Sequence, residues 1–154
     1  MTLESNCLHH QKKKQKPQQK EQHKAILAID DETDIIIVIK KSSQIIGFSI
    51  DGFTDPLLAL EQYRTNNNEY FLIISDLAMP SMNGFEFIRK IRLTSADIKV
   101  VLMTASNISD SGLFRELASS LKIDCIIQKP ISLRELIDII QKQKLLHVTV
   151  ASTK

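Results

Sequence analysis

The feature that most constrains the fold is a repeated punctuation: short apolar runs that each stop at a polar side chain. Ala25-Ile26-Leu27-Ala28-Ile29 stops at Asp30-Asp31, and Phe71-Leu72-Ile73-Ile74-Ser75 stops at Asp76. Val100-Val101-Leu102-Met103 stops at Thr104, and Ile126-Ile127-Gln128 stops at Lys129-Pro130. Apolar runs of this length without alternation read as strands covered on both faces. Pro80 and Gly84 break regular structure after Asp76, so its carboxylate is held at a strand's carboxyl end, where open α/β sheets place their ligands. The candidate strands are 25–29, 48–53, 71–75, 99–103 and 124–128. The stretches between them are long enough for crossover helices, which implies an α/β, doubly wound, five-stranded parallel sheet with helices on both faces.

Helix starts carry local signals. Asp55-Pro56 offers a cap with proline at the first helical position, and Ser132-Leu133-Arg134-Glu135 reads as a capping box. Asn83-Gly84 precedes Phe85-Glu86-Phe87-Ile88-Arg89-Lys90-Ile91, whose apolar positions recur at helical spacing. One segment resists the scheme. Ile35-Ile36-Ile37-Val38-Ile39 is a β-branched run that propensity favours as a strand, and a strand there would form a hairpin with 25–29. Residues 32–46 are nevertheless expected to form a helix, because no glycine or proline interrupts them.

Charge is distributed unevenly. Residues 1–24 carry six lysines against Glu4 and Glu21 (6 − 2 = +4), and the remaining 14 basic and 16 acidic side chains give −2, for the net +2 of the 154-residue chain. The first 23 residues are Lys/Gln-rich and too poor in apolar side chains to form a core, so they are expected to be a disordered basic tail. Electrostatic contact with an acidic partner or nucleic acid is the sharper reading of the tail. No aromatic residue is interleaved with its lysines, so sequence-specific nucleic-acid binding is not expected. His9 and His10 have no companion ligands. The longest apolar runs are about five residues, far below the roughly 20 needed to cross a bilayer, and no secretory h-region follows the basic stretch. Cys7 and Cys125 show no pairing pattern, which together with these absences suggests a cytoplasmic protein without membrane association.

If Asp30, Asp31 and Asp76 converge, the chemistry follows. Two carboxylates about 4 Å apart repel by roughly 4 kcal/mol at an effective dielectric near 20, so such a cluster takes a proton or recruits a cation. Oxygen ligands of this kind suit Mg²⁺. With Lys129 offsetting further charge, the cluster suits a phosphoryl group, with Asp76 as nucleophile and Thr104 and Lys129 contacting phosphoryl oxygens. Each motif alone has an ordinary explanation: Asp30-Asp31 as a helix cap, Thr104 as a strand-end hydroxyl, Lys129 as a solvated lysine, Asp76 as a turn residue. Met79, Met82 and Met103 read as packing.

The acidic pair in Ile29-Asp30-Asp31-Glu32, Ser75-Asp76-Leu77, Met79-Pro80 with Gly84, Thr104-Ala105 and Lys129-Pro130 together resemble a response-regulator receiver domain, the CheY-like module of two-component signalling. The resemblance covers 24–144, leaving 1–23 and a short C-terminal tail, 145–154, outside it. It implies flavodoxin-like strand order 2-1-3-4-5. It also makes Asp76 the phosphoacceptor, with Asp31 a direct Mg²⁺ ligand, Asp30 acting mainly through water, and the backbone carbonyl of Ala78 completing the protein ligands. A cis Lys129–Pro130 peptide is implied as well. The implied partners are a sensor histidine kinase or phosphotransfer protein and an unidentified downstream protein. The module would not be an enzyme in the ordinary sense, although it assists its own phosphorylation and dephosphorylation.

Two departures matter. Many receivers carry an aromatic residue three positions before the lysine of the Lys-Pro pair, whereas this chain has Ile126. Nothing after Lys144 is long enough for an output domain, so a stand-alone receiver is expected. Two other functions compete: a pseudo-receiver that binds partners without being switched by phosphorylation, and a haloacid-dehalogenase-like phosphatase. The latter usually has a second aspartate two residues after its nucleophile, where Ala78 stands.

Overall fold

In the computed structural model, which describes residues 24–105 and 110–151, strands and helices alternate along the described residues. Strands β1 (Ala25–Ile29), β2 (Ile50–Phe53), β3 (Tyr70–Asp76), β4 (Lys99–Thr104) and β5 (Cys125–Gln128) form one parallel sheet in the order β2-β1-β3-β4-β5. Helices α1 (Thr33–Ile45), α2 (Pro56–Asn66), α3 (Gly84–Arg92), α4 (Gly112–Ser120) and α5 (Leu133–Ala151) cover it. The expected doubly wound sheet and its strand order are what the structure contains. Because both faces are covered, successive side chains enter different cores. On β1, Leu27 and Ile29 join one cluster with α2, α3 and α4, while Ile26 and Ala28 join the other with α1 and α5.

The β-branched run is helical. Ile36 and Ile39 are buried three residues apart against the sheet, while Ile37 is exposed. The sheet face rewards that spacing, and tertiary burial overrides the strand propensity. The helix ends in a Schellman motif: Gly47 has φ of 79°, its N–H donates to Gln44 O (3.1 Å), and Phe48 N–H donates to Ser43 O (2.9 Å). That motif commits Phe48 to the turn, so β2 starts at Ile50 rather than at residue 48. At the far edge, Asp124 lies outside β5. Its carboxylate accepts from Val100 N–H (2.8 Å) and pairs with Lys99 (2.9 Å).

The caps behave locally as their residues dictate. Asp55 accepts from Leu57 N–H (2.8 Å), with Pro56 at the first helical position. Ser132 and Glu135 exchange backbone bonds of 2.9 and 3.2 Å. Asn83 and Glu86 form a second reciprocal capping box at the start of α3, which the sequence reading did not single out. The segment expected as a C-terminal tail, 145–154, is helical through residue 151. His147 on that helix, α5, packs against Phe71 (ring centroids 6.2 Å apart). Residues 1–23 and 152–154 lie outside the described residues. Among the described residues no helix is long and apolar enough to cross a membrane.

Candidate functional site

The four polar strand ends meet because β1, β3, β4 and β5 lie side by side. Asp30 follows β1, Asp76 ends β3, Thr104 ends β4 and Lys129 follows β5. Asp30 and Asp76 flank the junction between β1 and β3, where the direction of winding reverses and a crevice opens.

Backbone bonds hold the strand ends in register. Asp30 N–H donates to Phe53 O (3.1 Å), Leu77 N–H to Met103 O (2.8 Å) and Lys129 N–H to Thr104 O (2.8 Å). Gly84 N–H donates to Leu77 O (2.8 Å), folding the loop after Asp76 back on itself. A Cβ at Gly84 would collide with the Asp76 carbonyl oxygen, so only glycine permits this approach. Within the loop Ser81 has φ of 66°. The Lys129–Pro130 peptide is cis.

Asp30, Asp31 and Asp76 each offer a carboxylate oxygen within 4.8 Å of the other two. Asp30 and Asp76 are buried and Asp31 is exposed. Lys129 Nζ stands 2.6 Å from Asp30 Oδ2 and 3.2 Å from Asp76 Oδ1. Glu32 N–H donates to Asp30 Oδ1 (2.9 Å). The electrostatics are those of a crowded, partly dry site. Burial, and then the neighbouring Asp30 charge, push the Asp76 carboxyl above its ordinary range against the pull of Lys129. Burial likewise raises Asp30, opposed by Lys129 and by the Glu32 N–H. Burial works to lower the Lys129 pKa, but Asp30 and Asp76 outweigh it and hold the ammonium above its ordinary value. Three carboxylates against one ammonium leave a formal charge of −2 when all are ionised (−3 + 1). An arrangement with excess negative charge and oxygen donors from three carboxylates can hold a hard divalent cation.

Thr104 is buried at the end of β4 beside this group. Ala78 is exposed in the loop two residues beyond Asp76. Ile126 is on β5 and 38 % exposed, at the position where the sequence comparison looked for an aromatic ring. Of the expected output loop 105–111, residues 106–109 lie outside the described residues. The sequence reading missed one charged neighbour: Glu32 Oε1 lies 3.7 Å from Lys129 Nζ. Its place directly after Asp30-Asp31 was the available signal.

Known proteins resemble this chain in sequence and in fold. The family model described as response regulator receiver domain matches residues 26–141. Sensor protein EvgS of Escherichia coli is 30% identical over 89 residues, 58% of this chain and 7% of that protein. The transcriptional regulatory protein CpxR homolog of Haemophilus influenzae is 32% identical over 94 residues, 61% of this chain and 38% of that protein. The chain therefore spans well under half the length of these curated relatives. The structure of response regulator protein TrrA from Thermotoga maritima in complex with Mg²⁺–BeF superposes with a TM-score of 0.66 and 31% identity, covering 78% of this chain and 98% of that one.

Proposed function

The chain belongs to the response regulator receiver domain family, and from that premise we propose that it is a phosphoaccepting switch of a two-component phosphorelay, with Asp76 as the acceptor. The observation that carries this reading is the convergence of Asp30, Asp31 and Asp76 within 4.8 Å, with the Lys129 ammonium 3.2 Å from Asp76 Oδ1. A sensor histidine kinase or phosphotransfer protein would supply the phosphoryl group in the cytoplasm, and a downstream protein would read the result.

Asp76 supplies the nucleophilic oxygen. It forms the new O–P bond as the P–N bond to the donor's phosphohistidine breaks, and the imidazole leaves with the electron pair and takes up a proton. Lys129 loses its contact with the attacking oxygen and pairs with a phosphoryl oxygen, while Asp30 keeps it at the site. Thr104 donates its hydroxyl to another phosphoryl oxygen and carries the new contact into the chain beyond β4. The donor set fits Mg²⁺, which Asp31, Asp76 and the carbonyl of Ala78 would hold, with Asp30 acting mainly through water. When bound, the ion supplies neutralisation of the charge that develops on the phosphoryl oxygens.

The test is incubation with acetyl phosphate or a phosphorylated histidine donor and Mg²⁺, followed by mass spectrometry. A gain of one phosphoryl group on Asp76, absent in Asp76→Asn, is the expected outcome. The second reading, a pseudo-receiver, is favoured by Ile126, which provides no ring to swing on phosphorylation. Absence of labelling with intact partner binding would select it.

A further inference from the structure

At the end of the sheet opposite the phosphoryl site, the first described residue and the last turns of α5 are joined through one histidine. Lys24 Nζ lies 3.2 Å from His147 Nε2. An ammonium can only donate, so Nε2 is the acceptor and His147 is the neutral tautomer with its proton on Nδ1. The ring packs on buried Phe71 (centroids 6.2 Å apart), which packs on Phe48 (5.1 Å), and Lys144 Nζ sits 4.4 Å above the Phe48 ring. These contacts hold the part of α5 beyond Lys144, whose outer side chains Leu145 and Val148 are exposed.

We propose that His147 is a pH-sensitive latch that, when neutral, fastens the C-terminal turns of α5 to Lys24 and Phe71 and, when protonated, releases them. A protonated ring has no lone pair to offer Lys24, so the 3.2 Å contact becomes a contact between two cations. The charged neighbours favour that outcome. Lys24 precedes β1, Lys99 opens β4 and Lys144 lies one turn earlier on α5. Of the acidic groups on neighbouring elements, Asp124 pairs with Lys99 at 2.9 Å, and Glu69 is exposed to solvent. Burial first, then Lys24 and Lys99, keep the His147 pKa below its ordinary 6.5. A histidine depressed in the fold contributes stability that is complete above 6.5 and is lost as the pH falls from there through the folded value. The latch needs neither Mg²⁺ nor phosphorylation, so it stands or falls separately from the switch.

The experiment is an NMR pH titration of the His147 ring in the full chain, assigned by its loss in His147→Gln, together with amide exchange at 145–151 corrected for intrinsic rates. The His147 midpoint is expected below 6.5, and protection at 145–151 is expected to fall, by no more than about tenfold, between pH of about 7.5 and about 5.5. His147→Gln keeps an acceptor that does not titrate, and its protection should not vary over that range. Lys24→Met should move the His147 midpoint upward, and it serves alone should His147→Gln fail to fold. A midpoint at or above 6.5 overturns the proposal, as does a low midpoint with unchanging protection. Equal pH dependence in wild type and His147→Gln, or no midpoint change in Lys24→Met, also overturns it.

Discussion

Asp76→Asn is expected to abolish phosphorylation and, in the absence of divalent metal, to make the protein more stable. The amide is nearly isosteric, so the change is one of charge. At an effective dielectric near 20, the ammonium of Lys129 at 3.2 Å attracts the Asp76 carboxylate by roughly 5 kcal/mol. A carboxylate oxygen of Asp30 at up to 4.8 Å repels it by roughly 3.5 kcal/mol. Asp31 is exposed, and screening reduces its repulsion to about 1 kcal/mol. These contributions nearly cancel, which leaves the cost of burying the charge to decide the sign. A gain on the order of 1–2 kcal/mol follows, a few degrees in Tm per kcal/mol for a domain of this size. The pH dependence has a defined direction. The Asp76 carboxyl stands above its ordinary 3.8, so the folded state holds its proton more firmly than the unfolded state. The advantage of Asp76→Asn is therefore complete where the carboxyl is ionised and shrinks as the pH falls through the folded value toward 3.8. The assay is urea unfolding of both proteins in EDTA across this range, repeated with Mg²⁺. The metal should raise the wild type more, because ligand bound only to the folded state adds RT ln(1 + [L]/Kd). An Asp76→Asn protein less stable than wild type in EDTA at neutral pH would refute the reasoning, since Lys129 attraction would then dominate. Undiminished phosphoryl incorporation would refute the acceptor assignment.

Three further outcomes are expected. Asp31→Ala should weaken Mg²⁺ binding and phosphorylation together while leaving stability in EDTA equal or slightly raised, because the side chain is exposed. A sharp fall in Tm in EDTA would instead indicate a structural role for Asp31. Thr104→Ala should retain beryllofluoride binding but lose the changes in hydrogen exchange that beryllofluoride induces in the wild type at 105–121; persistence of those changes would remove Thr104 from the output path. Gln143→Met should stabilise the chain by about 1 kcal/mol, read by denaturant midpoint, because Gln143 Oε1 is buried with no hydrogen-bond partner among the described residues. A loss of stability would show that the amide is satisfied.

The identities of the site residues were legible because they are local signals. Asp30, Asp76, Thr104 and Lys129 each end an apolar run, and parallel strands wound by crossover helices bring their carboxyl ends to one edge of the sheet. The caps at Asp55 and Ser132 were legible for the same reason: a cap joins residues two or three positions apart. Tertiary structure decided what depends on distant surfaces. The run 35–39 is a helix because the sheet buries Ile36 and Ile39, a reward that propensity does not contain. Asp30 and Asp31 are adjacent and chemically identical, yet one is buried against Lys129 and the other faces solvent, because the chain turns between strand and helix at that point. Glu32 reaches Lys129 across 97 residues (129 − 32): its place beside Asp30-Asp31 sets it near the site, but the pairing exists only in the assembled sheet. His147 on α5 meets Lys24 and Phe71 at the opposite end of the sheet, partners 123 and 76 residues away (147 − 24, 147 − 71). Local hydrogen bonds and periodicity are written in neighbouring residues. Burial and long-range charge pairing exist only once the sheet has assembled.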